Sequence, residues 1–205
     1  MLGRALLLVS LLLGLSGQAN AELIEKKRVE TYDVSAKSLR AFRKKMLDPD
    51  AGVKPFPQPY AALTTTLITW EADFESFGGE CRLSDWRVEI DTLIQMPNWI
   101  EAPKASKRNR QHWENYRLEI DYHENFHHRI AKEAASALDY EIAKLQPAET
   151  CDAINDEIAF LFKDMSQTLR QEQYIYDAIS QHGREQQRYY AYLEQQRAAY
   201  LNYRP

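Results

Sequence analysis

The chain reads as an α+β protein, with antiparallel strands in its N-terminal half packed on long α-helices that fill its C-terminal half. Three observations predict this. Residues 82–96 alternate apolar with polar, setting Trp86, Val88, Ile90, Thr92 and Ile94 against Arg87, Glu89, Asp91, Leu93 and Gln95. From residue 106 onward apolar residues recur at spacings of three and four, the period of a helix with one buried face. Glycine or proline marks the breaks: Gly78-Gly79, Pro97, Pro147 and Gly183.

In chain order, residues 1–21 read as a secretory signal peptide. Arg4 gives the positive start, residues 5–15 the apolar run and Ala19-Asn20-Ala21 the small-x-small cleavage site. A retained membrane anchor would need a longer run to cross about 30 Å of hydrocarbon. The expected location is therefore outside the cytoplasm, periplasmic or secreted. The remaining residues, 22–205, suit a single domain, strand-rich over 28–100 and helical over 105–205. Losing Arg4 leaves 25 Lys and Arg against 30 Asp and Glu, about −5, without a basic block for nucleic acid.

Residues 29–34 alternate and are rich in β-formers, so they read as a strand. Ser35 then suits a helix N-cap, and Leu39, Phe42, Met46 and Leu47 form an apolar stripe behind it. Four prolines in 48–60 predict a loop. Residues 61–74 and 82–96 predict two long strands joined through a turn at Gly78-Gly79, with Pro97 closing the second. One exposed strand edge would offer an extended peptide a place to lie. The helix from Ser106 carries Trp113, Tyr116, Ile120, His123, His127, Ile130, Ala131, Ala134 and Leu138 on its apolar stripe, and ends near Gln146-Pro147. A second helix starts near Ala148 or Thr150 and buries Ile154, Ile158, Leu161, Phe162, Met165 and Leu169. A third, tyrosine-rich helix follows Gly183, and its aromatic face suits docking of a partner. Cys81 and Cys151, an even pair in an exported chain, are expected to form a disulfide.

The chemistry concentrates in His123-Glu124-x-x-His127. Histidines four apart on a helix aim at one metal ion, and the intervening glutamate reaches its bound water. Both histidines fall on the apolar stripe, turned toward the protein. His128 points elsewhere, as a solvated or supporting residue, and His112 reads as surface. A catalytic zinc takes three protein ligands plus water, so one is missing. If two antiparallel helices meet near residue 148, positions near 170 and 174 face His127 and His123 at about 1.5 Å per residue. Glu149, Asp152, Asp156 and Glu157 would then stand about 20 Å away. His182 reaches the site if the helix ends near Tyr176 and the chain reverses through 179–183. Tyr176 could then hydrogen-bond an oxyanion and Asp177 orient a ligand histidine, against plainer roles as a core aromatic and a cap.

These residues together resemble a bacterial family of predicted secreted zinc-dependent proteases, first catalogued as a domain of unknown function. The likeness covers Tyr32, Leu39, Trp70, Cys81, Met96-Pro97-Asn98-Trp99, Trp113, the His-Glu-x-x-His segment, Cys151 and Tyr176-Asp177-x-x-Ser180-x-His182-Gly183. The family pattern usually has Thr where this chain has Ser180, and a further Gly after the His-Gly pair where this chain stays polar through Arg188. The resemblance implies a zincin-like metallopeptidase acting on a peptide or protein substrate. The expected site is His123, His127 and His182 on zinc, Glu124 as general base and Tyr176 as oxyanion support. The competing expectation is a non-catalytic periplasmic or surface interaction module, with a structural metal or none.

Overall fold

The computed structural model describes residues 21–46 and 61–202. Residues 1–20 of the expected leader, Leu47, the proline-rich loop and residues 203–205 lie outside them. The described elements are β1 (Ala21–Val34), α1 (Leu39–Met46), β2 (Leu63–Phe77), β3 (Glu80–Trp99), α2 (Lys107–Ile142), α3 (Cys151–Ser180) and α4 (Gln186–Asn202). A short 3₁₀ turn, Ala102–Lys104, separates β3 from α2. None of the described helices is long and apolar enough to cross a membrane.

The sheet has the order β1-β3-β2. Gly78 (φ 66°) and Gly79 (φ 91°) turn β2 into β3 as an antiparallel hairpin, because a two-residue turn that follows the strand twist needs positive φ at both positions. β1 departs from expectation. It is longer than residues 29–34 and pairs parallel to β3, from Ala21↔Trp86 to Val34↔Trp99, so the sheet is mixed. The return that parallel pairing requires is made by β2, which runs antiparallel to β3 and carries the chain back to where β3 starts. β3 also runs through Pro97 to Trp99, past its last β2 partner at Gln95, where only β1 remains beside it.

The pleat sorts the side chains. Trp86, Val88, Ile90, Thr92, Ile94 and Met96 point inward from β3 and are buried. The opposite face carries cross-strand ion pairs, Lys26–Glu89 at 2.7 Å and Arg28–Asp91 at 3.3 Å, which at this exposure contribute little beyond solubility. α2 crosses the inner face antiparallel to β3. The Trp86 indole donates to Asp139 Oδ1 at 2.9 Å near one end, His128 meets Thr92 in the middle, and Ile120 packs with Ile94 and Met96 at the other end. α3 then packs on α2, its Ile154, Ile158 and Met165 joining Ala131, Ala135, Leu138 and Ile142 in one core with the sheet.

A second cluster closes the far end. Phe42 of α1 lies edge-on to Trp113, 4.8 Å between ring centres, and Trp99 donates its indole N–H to the Ala36 carbonyl at 2.7 Å. The N-cap of α1 is Ser38, which accepts from Ala41 N at 3.2 Å, while Ser35 instead bonds Glu101. Ser106 and Thr150 cap α2 and α3, accepting from Asn109 N and Ala153 N; α2 thus starts where the helical pattern does, and α3 at the later of its two candidate starts.

α2 stops at Ile142, short of Pro147. The connection to α3 is held on the sheet instead. Ala148 and Cys81 exchange backbone hydrogen bonds of 2.8 and 2.9 Å, and the Cys81–Cys151 disulfide sits beside them with Cα atoms 5.1 Å apart. The covalent link closes a loop of 70 residues. In the chain-entropy account such a loop stabilises by about 4 kcal/mol. Replacing both cysteines by serine is expected to lower the free energy of denaturant unfolding by about that amount, measured against the oxidised parent.

Candidate metal centre

One turn of α2, His123 to His128, is enclosed by other elements on nearly every side. His123, Glu124, Phe126 and His128 are buried, and His127 is half-buried. Helix geometry sends each residue to a different neighbour: His123 and His127 toward α3, Glu124 toward β2, His128 toward β3 and β1.

Across from the two histidines, α3 presents Asp177 and Gln173, also four residues apart. Asp177 Oδ1 lies 3.0 Å from His123 Nε2 and 3.1 Å from His127 Nε2, and the two Nε2 atoms are 3.1 Å from each other. These three residues are the group among those described that could hold a metal ion. Burial works against the Asp177 charge, but the hydrogen bonds and charges of the two imidazoles prevail and hold its carboxyl well below the usual range. The reciprocal effect acts on His127. Burial opposes its protonation, and the Asp177 hydrogen bond and charge outweigh burial, leaving its pKa above the ordinary value.

Each imidazole is gripped from behind by an amide. Gln173 Oε1 accepts from His127 Nδ1, and Gln173 Nε2 donates to the His127 carbonyl at 3.0 Å. Gln186, the first residue of α4, places its Nε2 3.2 Å from His123 Nδ1. Glu124 is held by Thr64 of β2, whose hydroxyl is 2.8 Å from Oε2 and 3.0 Å from the Glu124 carbonyl. Burial raises the Glu124 carboxyl above its ordinary value, against the pull of the His127 charge and the Thr64 hydrogen bond.

Several expectations change here. α3 does not break near Tyr176 but runs on to Ser180, and the chain reverses only at Gln181, His182 and Gly183, all at positive φ. His182 therefore stays at the rim. Its side chain is 60% exposed, and its Nδ1 lies 3.4 Å from the same Asp177 oxygen, outside the tight group. Asp177, expected only to orient a histidine, occupies the inner position. Tyr176 is fully buried, stacked between His123 at 4.7 Å and Phe126 at 4.4 Å, and its hydroxyl donates to Gln186 Oε1 at 2.7 Å. A side chain so enclosed faces no substrate, which is at odds with oxyanion support. His128 is buried, with Nδ1 2.9 Å from the Thr92 hydroxyl and Nε2 2.9 Å from Glu25 Oε1. Lys132 also pairs with Glu25, whose carboxyl is held low by its hydrogen bonds to Lys132 and His128. Tyr189 and Tyr190 of the aromatic face read as a docking surface pack with Phe126 and Tyr176 within the chain, and Tyr192 joins them.

Sequence reading missed Thr64, Thr92, Gln173 and Gln186. Gln173 had a signal: an i, i+4 pair with Asp177 that matches the i, i+4 histidine pair opposite. Gln186 had none, since it arrives from a separate helix after a reversal.

The chain belongs to the bacterial protein family of unknown function DUF922, whose model matches residues 29–183, from within β1 to the end of the reversal. No curated protein and no solved structure matches it.

Two outcomes test the packing around this turn. Gly183 sits at φ +87°, and a Cβ there would stand 3.1 Å from His123 Cβ and Cγ. Gly183→Ala is expected to cost about 2 kcal/mol in thermal unfolding and to move the His123 ring resonances. Thr92→Val keeps the shape but leaves His128 Nδ1 without its partner, and a loss of about 1–3 kcal/mol is expected in the same assay.

Proposed function

We propose that the chain is an exported zinc-dependent endopeptidase. His123, His127 and Asp177 would hold the ion, His182 is the further donor in reach of the same point, and Glu124 is the general base. The observation that carries this reading is the convergence of two imidazole nitrogens and a carboxylate oxygen on one another, next in sequence to a buried glutamate.

The donor set fits the metal. Around tetrahedral zinc, bonds of about 2.0–2.1 Å put neighbouring donor atoms roughly 3.3 Å apart. The three separations found here are 3.0, 3.1 and 3.1 Å. Two nitrogens and one carboxylate suit zinc better than calcium or magnesium, which favour all-oxygen shells. Three protein donors also leave the coordination open for water, as catalytic rather than structural zinc sites do. When bound, zinc supplies Lewis acidity toward a peptide carbonyl and a water that ionises near neutral pH.

The chain's own residues do the rest. Glu124 is fixed through Oε2 by Thr64, so its other oxygen, Oε1, is the one suited to proton transfer. Its raised proton affinity brings it closer to the poise a general base needs, to take a proton from water and return it to the leaving amine. Gln173 holds a proton on His127 Nδ1, so Nε2 is the nitrogen directed at the centre.

The test uses the mature protein and its Glu124→Gln variant on an unstructured peptide library, with zinc content read alongside. The parent is expected to carry about one zinc per chain and to lose cleavage on chelation. Glu124→Gln should keep the zinc and lose cleavage by at least about a hundredfold. Chelator-sensitive cleavage that is equal in both proteins would remove Glu124 as the base, and no cleavage by either would leave the interaction-module reading in its place. Asp177→Asn should weaken zinc binding more than His182→Ala does, and the reverse order would return the third position to His182.

A further inference from the structure

The two glutamines behind the histidines are not equivalent. Gln173 is bonded at both ends to groups with one role each: its oxygen receives the His127 Nδ1–H and its nitrogen donates to the His127 carbonyl, which can only accept. Reversing that amide would lose both bonds. Gln186 stands instead between two groups that can each donate or accept, the His123 imidazole nitrogen and the Tyr176 hydroxyl. Its amide can reverse without losing either bond.

The orientation found has a definite proton arrangement. The Gln186 amide N–H donates to His123 Nδ1, so Nδ1 accepts and the ring proton lies on Nε2. That Nε2–H is the donor to Asp177 Oδ1 at 3.0 Å. Tyr176 completes the chain by donating to Gln186 Oε1 at 2.7 Å. His127 differs: its Nδ1 proton is held by Gln173, and its Nε2 faces inward toward His123 and Asp177.

We infer that Gln186 is a positioning residue for His123 whose amide reverses when a metal ion binds. This rests on the metal-centre reading above. To ligate a cation held with His127 and Asp177, His123 would have to offer the lone pair of Nε2, so Nε2 would give its proton to water and Nδ1 would take one from water, leaving the ring charge unchanged. The new Nδ1–H needs an acceptor, and only the carbonyl end of Gln186 can serve. The reversed amide then turns its N–H₂ to the Tyr176 oxygen. Tyr176 has a second acceptor in place for its own proton, the His123 carbonyl, 3.4 Å away. His123 Nδ1, both ends of the Gln186 amide and the Tyr176 hydroxyl would each keep a partner in both states, which makes the three groups a relay with two settings. Burial of the Tyr176 hydroxyl shields the relay, because water does not compete for its bonds.

The experiment reads zinc affinity by calorimetry and histidine tautomers by ¹⁵N resonance on the full mature chain, in the parent, Gln186→Met and Gln186→Glu. In the parent, His123 is expected to carry its proton on Nε2 without metal and on Nδ1 with zinc. Gln186→Met, which fills the space but accepts no such bond, should weaken zinc binding roughly tenfold or more. Gln186→Glu should bind at least as tightly as the parent, because a carboxylate accepts from Nδ1–H without any reversal. A role in packing alone predicts equal losses in both variants, and that result overturns the inference. So does unchanged affinity in Gln186→Met, or a His123 tautomer that is the same before and after zinc, a reading the parent supplies even where a variant fails to fold. A parent that binds no zinc overturns the centre itself and the relay with it, whereas the other failures leave the centre standing.

Discussion

A single helical turn that carries His-Glu-Asn-Phe-His-His cannot be buried unless each of its polar groups finds a partner, and that requirement organises the fold around α2. β2 supplies Thr64 to Glu124, β3 supplies Thr92 to His128, β1 supplies Glu25 to His128 and Lys27 to Asn125. α3 supplies Asp177 and Gln173, and α4 supplies Gln186. No described buried side-chain nitrogen or oxygen lacks a hydrogen-bond partner. Every described element except α1 and the 3₁₀ turn thus contributes at least one partner to this turn. Apolar packing by Phe126, Tyr176 and Tyr189 seals what remains.

Local chemistry made much of this legible. The paired glycines marked the hairpin, the change of pattern at Ser106 marked the start of α2, the start of α3 was narrowed to Ala148 or Thr150, and the period of three and four put His123 and His127 on an inward face. What escaped was set by partners distant in the chain. Alternation in β1 cannot reveal whether its neighbour runs parallel, and the burial of His128 depends on two strands arriving beneath it. Rise arithmetic placed the residues facing the histidines near 170 and 174, whereas Gln173 and Asp177 do so. The error has a cause: Ala148 is drawn onto Cys81, so a connection of several residues replaces a tight turn and moves the α3 register along. From that shift it follows that Asp177 lies nearer the two imidazoles than His182 does to the same group.

The same enclosure shapes the electrostatics. Burial raises Glu124, while the paired imidazoles lower Asp177 although it too is buried. Two carboxyls close in space are thereby pushed in opposite directions, one toward holding a proton and one toward holding a charge. Such a separation is what acid–base chemistry beside a cation calls for, and it arises from position alone: Glu124 faces a hydroxyl, Asp177 faces nitrogens.

The link between Cys81 and Cys151 has a mechanical consequence. α3 is an unbroken rod pinned covalently to the hairpin at its first residue and pressed against the histidines near its last turn. Between those points lie about 40 Å of helix, and each residue advances the azimuth by about 100°. Such a span can change much of its composition, but not its count. One residue more or fewer would swing Asp177 a quarter turn or more off the imidazoles while leaving the anchor in place. The rod works as a gauge block between two fixed jaws, and its length is the dimension held to tolerance.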